Sequence, residues 1–593
     1  MKKKRFLCLL LVLGLLLSGC SLDSLRELAD ELAASSVTPY SEMEYIRPDM
    51  DALEQILEES CAILAETGSG EKAINAIDEF YREYDRFYTS YYLADIRYSG
   101  NLRDTGWETE YNYCAENAAA VDAALDELYR AAAVSDAREA LERDYFGEGF
   151  FESYEGESLW DETFLALTEE EARLQSAYYA LSDQALESEY YSEEYFSVYG
   201  TQMAELFVEL IALRQQIAEY AGYESYPQFA YDFYYYRDYT PEASEAYLER
   251  IGELFYERYC QMEDSSVWEI LQHFCTETDT FSYVKQAAKA MGGIPAEAFT
   301  VLERAGVYDI SYGENKYASS FELYLWSYGV PFIFMDPWMN ASDKLTFAHE
   351  FGHFCNDYIC GGSYAGTDVA EVHSQAFEYL SLCYGQPPEG LRDYKLAESL
   401  ELYVEQSAYA LFETRVYGLT GEELTVENVQ ALYEDIGRRF GLDSRDWDPR
   451  DFVTVPHFYT NPMYIVSYVV SNDLAMQIYE IELAEPGAGL ALYEELLYSQ
   501  ESFLIAFAES YGLKDPMSPK RLGELDAFFQ NSLTPQKNAP QEILRRSDCQ
   551  KTVSLRASAH TGVAIRSPKC CVFSDNCDKT ASFGCGFFAA LRL

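Results

Sequence analysis

Hydrophobic residues recur every three or four positions along most of the chain, which is the spacing of one face of an α-helix. The clearest stripe has charged residues between its members and consists of Ile74, Ile77, Tyr81, Tyr84, Tyr88 and Tyr91. Similar stripes run through residues 122–145 and 169–186. The pattern therefore predicts a bundle of long helices over residues 20–198, and Gly200 is the predicted boundary of this first subdomain.

A second helical pattern begins at Thr201 and continues to about residue 535. Inside it, residues 307–312 and 329–335 are rich in β-branched and aromatic side chains, with turn residues between them. These two runs are typical of strands, so we predict a small β-sheet there. The predicted fold class is mostly α, with two helical subdomains at residues 20–198 and 199–535.

The sequence HEFGH at residues 349–353 lies in the helical pattern that follows the predicted sheet. Residues four apart lie on the same side of a helix, so His349 and His353 present their imidazoles to one point, with Glu350 beside them. Imidazoles are typical zinc ligands, and a carboxylate next to the metal can act as a base toward water. With 6 His and 101 acidic residues, about 0.01 such matches arise by chance, which disfavours two incidental surface histidines.

A catalytic zinc needs a third protein ligand. Glu371 lies 18 residues beyond His353, near the start of the next predicted helix, and a helical hairpin of that length can return its carboxylate to the metal. His373 competes for this role, but it is two positions from Glu371 and points to a different face of the helix. The sequence predicts one Zn²⁺ per chain, and manganese or cobalt would suit the same ligands.

The charge and the cysteines exclude some classes of function. The 593 residues include 43 Lys and Arg against 101 Asp and Glu, a formal net charge of −58, whereas nucleic-acid binding requires clustered Lys and Arg. We therefore expect no nucleic-acid partner. The cysteines between residues 61 and 383 show no metal-knuckle spacing, so we expect most of those in periodic segments to be small buried hydrophobic residues.

Both ends of the chain differ from the region between them. Residues 1–19 combine a basic start with an apolar segment that is too short to span a bilayer comfortably, and LSGC at 17–20 resembles a bacterial lipobox. This predicts a signal peptide, lipidation of Cys20 and an extracytoplasmic protein anchored to the bacterial cell membrane; an ordinary secretory signal is the alternative. Residues 536–593 are basic, Cys-rich and without helical periodicity, so we expect them to lie outside the fold.

Several separated motifs resemble one known family, the thimet oligopeptidase and oligoendopeptidase F zinc metallopeptidases. HEFGH at 349–353 followed by EVxSQxxE at 371–378 resembles the metal-binding helices of that family. RQQIA at 214–218 is similar to its first catalytic-domain helix, and KYASSF at 316–321 resembles the strand region beside its substrate channel. PHFY at 456–459 resembles the His and Tyr segment of oligoendopeptidase F. The resemblance covers about residues 200–535.

Carried over residue by residue, the resemblance implies a set of site residues. The zinc ligands would be His349, His353 and Glu371, and the general base would be Glu350. The developing oxyanion would be bound by His457 and Tyr468, with Tyr464 as the alternative tyrosine. Gln375 and Glu378 are candidates to accept the second N–H of a metal-bound imidazole, or they are ordinary polar residues on a solvated face. Ala318 and Ser319 would hold the substrate backbone by strand addition.

The resemblance also implies a fold and an activity. Two helical subdomains would flank a deep substrate channel, and the enzyme would be a zinc endopeptidase that cleaves internal bonds of short or unfolded oligopeptides. A zinc carboxypeptidase or dipeptidase on a related helical fold is one alternative. A peptide-binding lipoprotein without turnover is the other, although an intact Glu350 speaks against it because a binding protein needs no base beside its metal.

Overall fold

The predicted mostly α-helical fold with a small sheet is confirmed. The computed structural model describes residues 37–533 except for 156–157, 186–191, 263–265, 363–365 and 443–446. The predicted lipidation site at Cys20 and the predicted tail at 536–593 therefore lie outside the described residues.

The longer helices are numbered in chain order. They are α1 (Met50–Glu66), α2 (Gly70–Gly100), α3 (Thr105–Ala133), α4 (Glu162–Ala185), α5 (Thr201–Tyr220), α6 (Pro241–Met262), α7 (Glu277–Met291), α8 (Gly293–Ala305), α9 (Asp343–Cys360), α10 (Thr367–Tyr384), α11 (Leu391–Val416), α12 (Val426–Arg439), α13 (Val466–Ala484), α14 (Ala488–Leu496), α15 (Leu504–Ser510) and α16 (Pro519–Ser532). Shorter α-helical pieces are Arg138–Leu141, Glu193–Tyr195, Tyr226–Phe229 and Pro456–Thr460.

The predicted sheet forms just before α9. Its strands are β1 (Tyr308–Asp309), β2 (Ser320–Leu325) and β3 (Val330–Met335). The fully buried strand β3 lies in the centre, parallel to β1 and antiparallel to β2. Both β2 and β3 pack on α9, so the sheet supports the helix that carries HEFGH.

The described residues form two hydrophobic cores. The smaller core contains side chains from Leu53 to Tyr154, mainly on α1, α2 and α3. The larger core takes in α4 and extends to Phe529. The predicted boundary at residues 198–199 does not coincide with this division, because α4 packs on α5 and Gly200 lies within a continuous helical stretch, Glu193–Tyr220.

That stretch, Glu193–Tyr220, is long and apolar enough to cross a membrane. Its most apolar part, a window of 18 residues, has a mean hydropathy of 1.2, but half of that window is buried inside the protein. Leu210, Ile211 and Ile217 are fully buried in the larger core. Its apolar character is therefore accounted for by packing within the core.

Candidate active site

The helix α9 is oriented by a carboxylate at its first residue. Asp343 accepts hydrogen bonds from the backbone N–H groups of Trp338 at 2.8 Å and Asn340 at 3.0 Å. These bonds fix the chain where it leaves the sheet and enters the helix. The other end is closed by Gly361, whose φ of 70° is the left-handed conformation that commonly ends helices.

The three predicted metal ligands come together. The Nε2 atoms of His349 and His353 lie 3.4 and 3.8 Å from Oε2 of Glu371, and one ligand atom of each residue lies within 4.8 Å of the other two. Zinc binds such atoms at about 2.0–2.2 Å, so ligand atoms around one ion are separated by distances of this size. Both imidazoles are partly exposed, at 18% and 20%. The residues therefore fit a metal ion with an open side.

The close approach of α9 and α10 depends on Gly352, in the middle of HEFGH. A Cβ atom at this position would lie 2.6 Å from the Cα of Ser374 and 2.7 Å from the carbonyl oxygen of His373. Both atoms belong to the backbone of α10, so only glycine allows this crossing. The sequence carries one signal for it, a glycine inside a helical pattern, and its significance becomes clear only when the second helix is in place.

The competing ligand His373 lies away from the cluster. Its ring packs against Tyr493 and Phe507, with ring centroids 6.4 and 5.9 Å apart, and burial lowers its pKa to about 3. The prediction that His373 faces another side of the helix is therefore confirmed, and Glu371 is the residue that reaches the two histidines.

A second carboxylate of α10 supports the cluster. Nδ1 of His349 lies 2.8 Å from Oε1 of Glu378, and Oε2 of Glu378 accepts a hydrogen bond of 2.6 Å from Nζ of Lys395 on α11. Lys395 is 3.3 Å from Glu398 as well. All three of these charged residues are buried. The contact of Glu378 is the one predicted from the sequence, whereas Lys395 was not predicted because its sequence context is an ordinary helix.

Gln375 makes different contacts from those predicted. Its Nε2 donates to Oγ of Ser471 at 3.2 Å and to the carbonyl oxygen of Tyr468 at 3.4 Å. This side chain therefore joins α10 to α13 and does not contact a ligand imidazole in the structure. Residues 375 and 378 lie on the same face of α10 by the helix period, so the difference comes from the tertiary packing: Gln375 contacts α13, whereas Glu378 contacts His349 on α9.

A helical turn at Pro456–Thr460 carries His457, whose ring centroid lies 5.7 Å from that of Tyr464. The chain then passes through Met463, at a φ of 69°, and Tyr464 before α13 begins. The hydroxyl of Tyr464 donates to Oε1 of Glu371 at 2.7 Å, whereas the hydroxyl of Tyr468 lies 3.4 Å from Nε2 of His457. Tyr464 thus precedes the helix and contacts a predicted metal ligand, which leaves Tyr468 as the tyrosine paired with His457.

Burial shapes the proton affinities in the site. It raises the pKa of Glu350 to about 7, against the opposing charge of His349, and it lowers the pKa of His457 to about 4. Burial would also raise the pKa of Glu371, but hydrogen bonding to His349 and the charges of both histidines lower it to about 2. Burial keeps the pKa of Tyr468 well above its usual value, so its hydroxyl stays protonated and can donate a hydrogen bond.

Comparisons with known proteins relate this arrangement to described folds. Residues 40–158 match the family model described as the Peptidase M3 N-terminal domain. A solved structure provisionally named oligoendopeptidase F is 18% identical, with a TM-score of 0.73, over 84% of this chain and 98% of its own. PZ peptidase A with an inhibitor is 16% identical, with a TM-score of 0.71, over 83% of this chain and 100% of its own. The chain has an oligoendopeptidase F-like fold.

One further solved structure belongs to a different type of peptidase. An M32 carboxypeptidase from Deinococcus radiodurans R1 is 14% identical, with a TM-score of 0.53, over 82% of this chain and 100% of its own. A search of curated proteins gives no match. At these identities, likeness to solved structures establishes the fold and leaves the activity to be argued from the site.

The predicted substrate strand differs from the expectation. Strand β2 is an outer strand of the sheet, but it begins at Ser320, so Ala318 and Ser319 precede it. The N–H of Ser319 donates to the carbonyl oxygen of Tyr317 at 2.8 Å, and its carbonyl oxygen accepts from the N–H of Asp336 at 3.1 Å. Both backbone groups of Ser319 are thus engaged within the protein, which argues against its predicted pairing with a peptide.

One buried cluster that joins α10 to α13 was not predicted. Asp368, at the start of α10, accepts hydrogen bonds from Ser467 Oγ at 2.5 Å and from Tyr239 Oη at 2.7 Å. Arg237 Nε lies 3.3 Å from the same carboxylate. These contacts hold the first turns of the two helices together, next to the bond between Tyr464 and Glu371. Residues this far apart in sequence meet only in the folded chain.

Proposed function

We propose that this protein is a zinc-dependent oligopeptidase that hydrolyses internal bonds of short or unfolded peptides. The observation that carries the proposal is the position of Glu350, a buried carboxylate beside a cluster of His349, His353 and Glu371. A structural metal site has no use for such a base, and a catalytic site requires one. The oligoendopeptidase F-like fold and the match to the Peptidase M3 N-terminal domain give independent support.

Each residue of the site has a role in this reaction. His349, His353 and Glu371 would hold Zn²⁺, which when bound supplies Lewis acidity that makes water acidic near neutral pH. Glu350 accepts the proton from the attacking water and donates it to the leaving amine.

His457 and Tyr468 would stabilise the negative charge that develops on the peptide carbonyl oxygen. Tyr468 and His457 donate hydrogen bonds to the peptide carbonyl oxygen as it becomes negative, and the loss of one such donor typically costs about 3 kcal/mol. His457 is neutral at pH 7 because its pKa is lowered to about 4, and a neutral imidazole still carries one N–H.

Internal cleavage and removal of C-terminal residues differ in the charge that the substrate presents to the enzyme. A carboxypeptidase binds the terminal carboxylate of its substrate, and Arg or Lys is the usual partner for a carboxylate. Among the described residues, every buried Arg or Lys is within ion-pair distance of a carboxylate; these residues are Arg214, Arg237, Lys316, Lys395 and Arg521. One terminal nitrogen of Arg237 has no hydrogen-bond partner within the described part of the chain. A carboxypeptidase remains the second candidate because of the fold match to the M32 enzyme.

The test compares wild type with Glu350→Gln on a quenched peptide library, with the zinc content of both measured. We expect equal zinc content and a loss of at least 100-fold in activity for the variant; equal activity would refute the role of Glu350. Zinc without any activity in wild type would instead support a peptide-binding protein. A peptide blocked at both termini separates the two enzymatic candidates, since only an endopeptidase cleaves it.

We also propose that the protein is lipid-anchored outside the cytoplasm through Cys20. The proposal rests on the sequence alone: the basic start, the short apolar segment and LSGC at 17–20. Replacing Cys20 with Ala should move the protein from the membrane fraction to the soluble fraction of cells. An unchanged distribution would leave an ordinary secretory signal or a different attachment.

A further inference from the structure

Arg214 is a fully buried arginine on α5 that contacts three other segments, one of them through a 3.3 Å hydrogen bond from Nη1 to the hydroxyl of Tyr417 after α11. Its Nε donates to Oε1 of Glu171 on α4 at 2.6 Å. One terminal nitrogen donates to the carbonyl oxygen of Phe458 at 2.7 Å, and the other donates to the carbonyl oxygen of Tyr459. The guanidinium therefore connects α4 to the helical turn that carries His457.

The two carbonyl groups lie at a helix end, where backbone oxygens lack partners within the helix. A cation there satisfies both oxygens and interacts favourably with the helix dipole. Arginine suits the task because its planar fork offers several N–H groups in fixed directions. Glu171 balances the charge, which a buried guanidinium requires.

Other side chains of α4 hold the same turn. Nε2 of Gln175 donates to the carbonyl oxygen of Tyr459 at 3.2 Å. The ring of Tyr178 stacks on the ring of Tyr459, with centroids 3.7 Å apart. The hydroxyl of Tyr459 reaches the carbonyl oxygen of Met203 on α5 at 3.0 Å. The turn at Pro456–Thr460 is thus fixed against α4 and α5.

The buried imidazole of His457 lies beside the rings of Tyr464 and Tyr468, with ring centroids 5.7 and 6.0 Å away. Within the described part of the chain, its side chain has one hydrogen-bond contact, the long 3.4 Å approach of Tyr468. Because this contact is long, the position of the imidazole depends on the backbone of the turn that Arg214 holds, together with these two rings.

We infer that Arg214, paired with Glu171, is a positioning residue that acts on the reaction through His457. This inference rests on the proposed function. A displacement of about 1 Å can cost about 100-fold in rate. The effect should fall on turnover, since the metal ligands lie on α9 and α10 and are not held by this arginine.

The test is a double-mutant cycle. We expect Arg214→Met to lower kcat about 100-fold with KM changed less than about threefold, and His457→Ala to lower kcat to a similar extent. If Arg214 acts through His457, the double variant should lose no more than about threefold beyond His457→Ala. Losses that multiply would overturn the inference. Arg214→Lys should restore only part of the activity, because an ammonium lacks the planar fork.

Arg521 provides the matched control. It is also a buried arginine, paired with Asp473 at 2.7 Å and Glu480 at 3.0 Å, but both partners lie further along α13, away from His457. Arg521→Met should lower stability while kcat per folded molecule stays within about threefold of wild type. An equal loss of kcat in both arginine variants would indicate a general structural effect and overturn the inference.

A measurement that does not depend on peptide hydrolysis tests this inference separately from the proposed function. Hydrogen exchange of the backbone amides at residues 457–460 should speed up at least tenfold in Arg214→Lys and Glu171→Gln, while the amides of α9 stay protected. These conservative variants serve if Arg214→Met does not fold. Unchanged exchange would overturn the positioning role whether or not the wild type hydrolyses peptides, and an inactive wild type with faster exchange would refute only the proposed reaction.

Discussion

Replacing Gly352 with Ala should disrupt the metal centre from inside the HEFGH sequence. The new Cβ would lie 2.6 Å from a backbone atom of Ser374, where an ordinary contact starts at 3.4 Å. The helices α9 and α10 must therefore separate by roughly 0.8 Å, which overpacking studies associate with a cost of about 1–3 kcal/mol. Because Glu371 is on α10 and the two histidines are on α9, the separation also pulls the ligands apart.

The assay is zinc affinity by chelator competition together with thermal unfolding of the metal-free protein. We expect zinc affinity to fall by at least tenfold and the unfolding temperature to drop. Gly523→Ala is the control, because Gly523 lies inside α16 and a Cβ added there would have no atom within 4 Å, so alanine should stabilise the helix by up to about 1 kcal/mol. Wild-type zinc affinity in Gly352→Ala would refute the close-crossing explanation.

The other predictions concern buried charges and the chain end. Lys395→Met should weaken zinc binding about 10–100-fold, because it frees Glu378 from its 2.6 Å hydrogen bond. The control is Lys316→Met, which removes a buried lysine paired with Asp309 and should leave zinc affinity unchanged. Equal zinc affinities for wild type and Lys395→Met would contradict this prediction. Burial raises the pKa of Asp122 from 3.8 to about 7, so the folded state binds the proton more tightly and stability should fall as pH rises from about 4 to about 7. Asp122→Asn should flatten that fall, by roughly 1–4 kcal/mol, in urea unfolding at several pH values, and an identical pH profile would refute it. Ending the chain at residue 540 should leave peptidase activity unchanged, and its loss would show that the tail contributes.

The elements that could be predicted from the sequence are those with local signals. Helical periodicity and the β-branched runs gave the helices and the sheet, and the four-residue spacing of His349 and His353 placed two ligands on one face. Glu371 and Glu378 followed because seven residues, about two helical turns, place both carboxylates on one face of α10. In each case the geometry of a single helix carries the information.

The remaining features depend on contacts between distant segments. Gly352 matters because α10 crosses it, Lys395 because α11 faces Glu378, and Arg214 because the turn at Pro456–Thr460 ends against it. Gly352 and Arg214 lie in motifs that the sequence shows, whereas Lys395 lies in an ordinary helix, and no pattern in one segment could reveal which distant segment each of them contacts. The role predicted for Ser319 stays a prediction, and the backbone bonds of Ser319 to Tyr317 and Asp336 argue against it.

The metal ligands and His457 are anchored to different helices, so variants that disturb one group should have different effects from variants that disturb the other. The metal ligands depend on the crossing of α9 and α10, with Lys395 behind them, whereas His457 depends on α4 and α5 through Arg214. Two contacts link α10 to the segment that contains Tyr464 and the start of α13: the bond between Tyr464 and Glu371, and the cluster around Asp368. Variants at Gly352 or Lys395 should therefore change metal affinity first, variants at Arg214 should change turnover at constant metal content, and variants at Asp368 should change both.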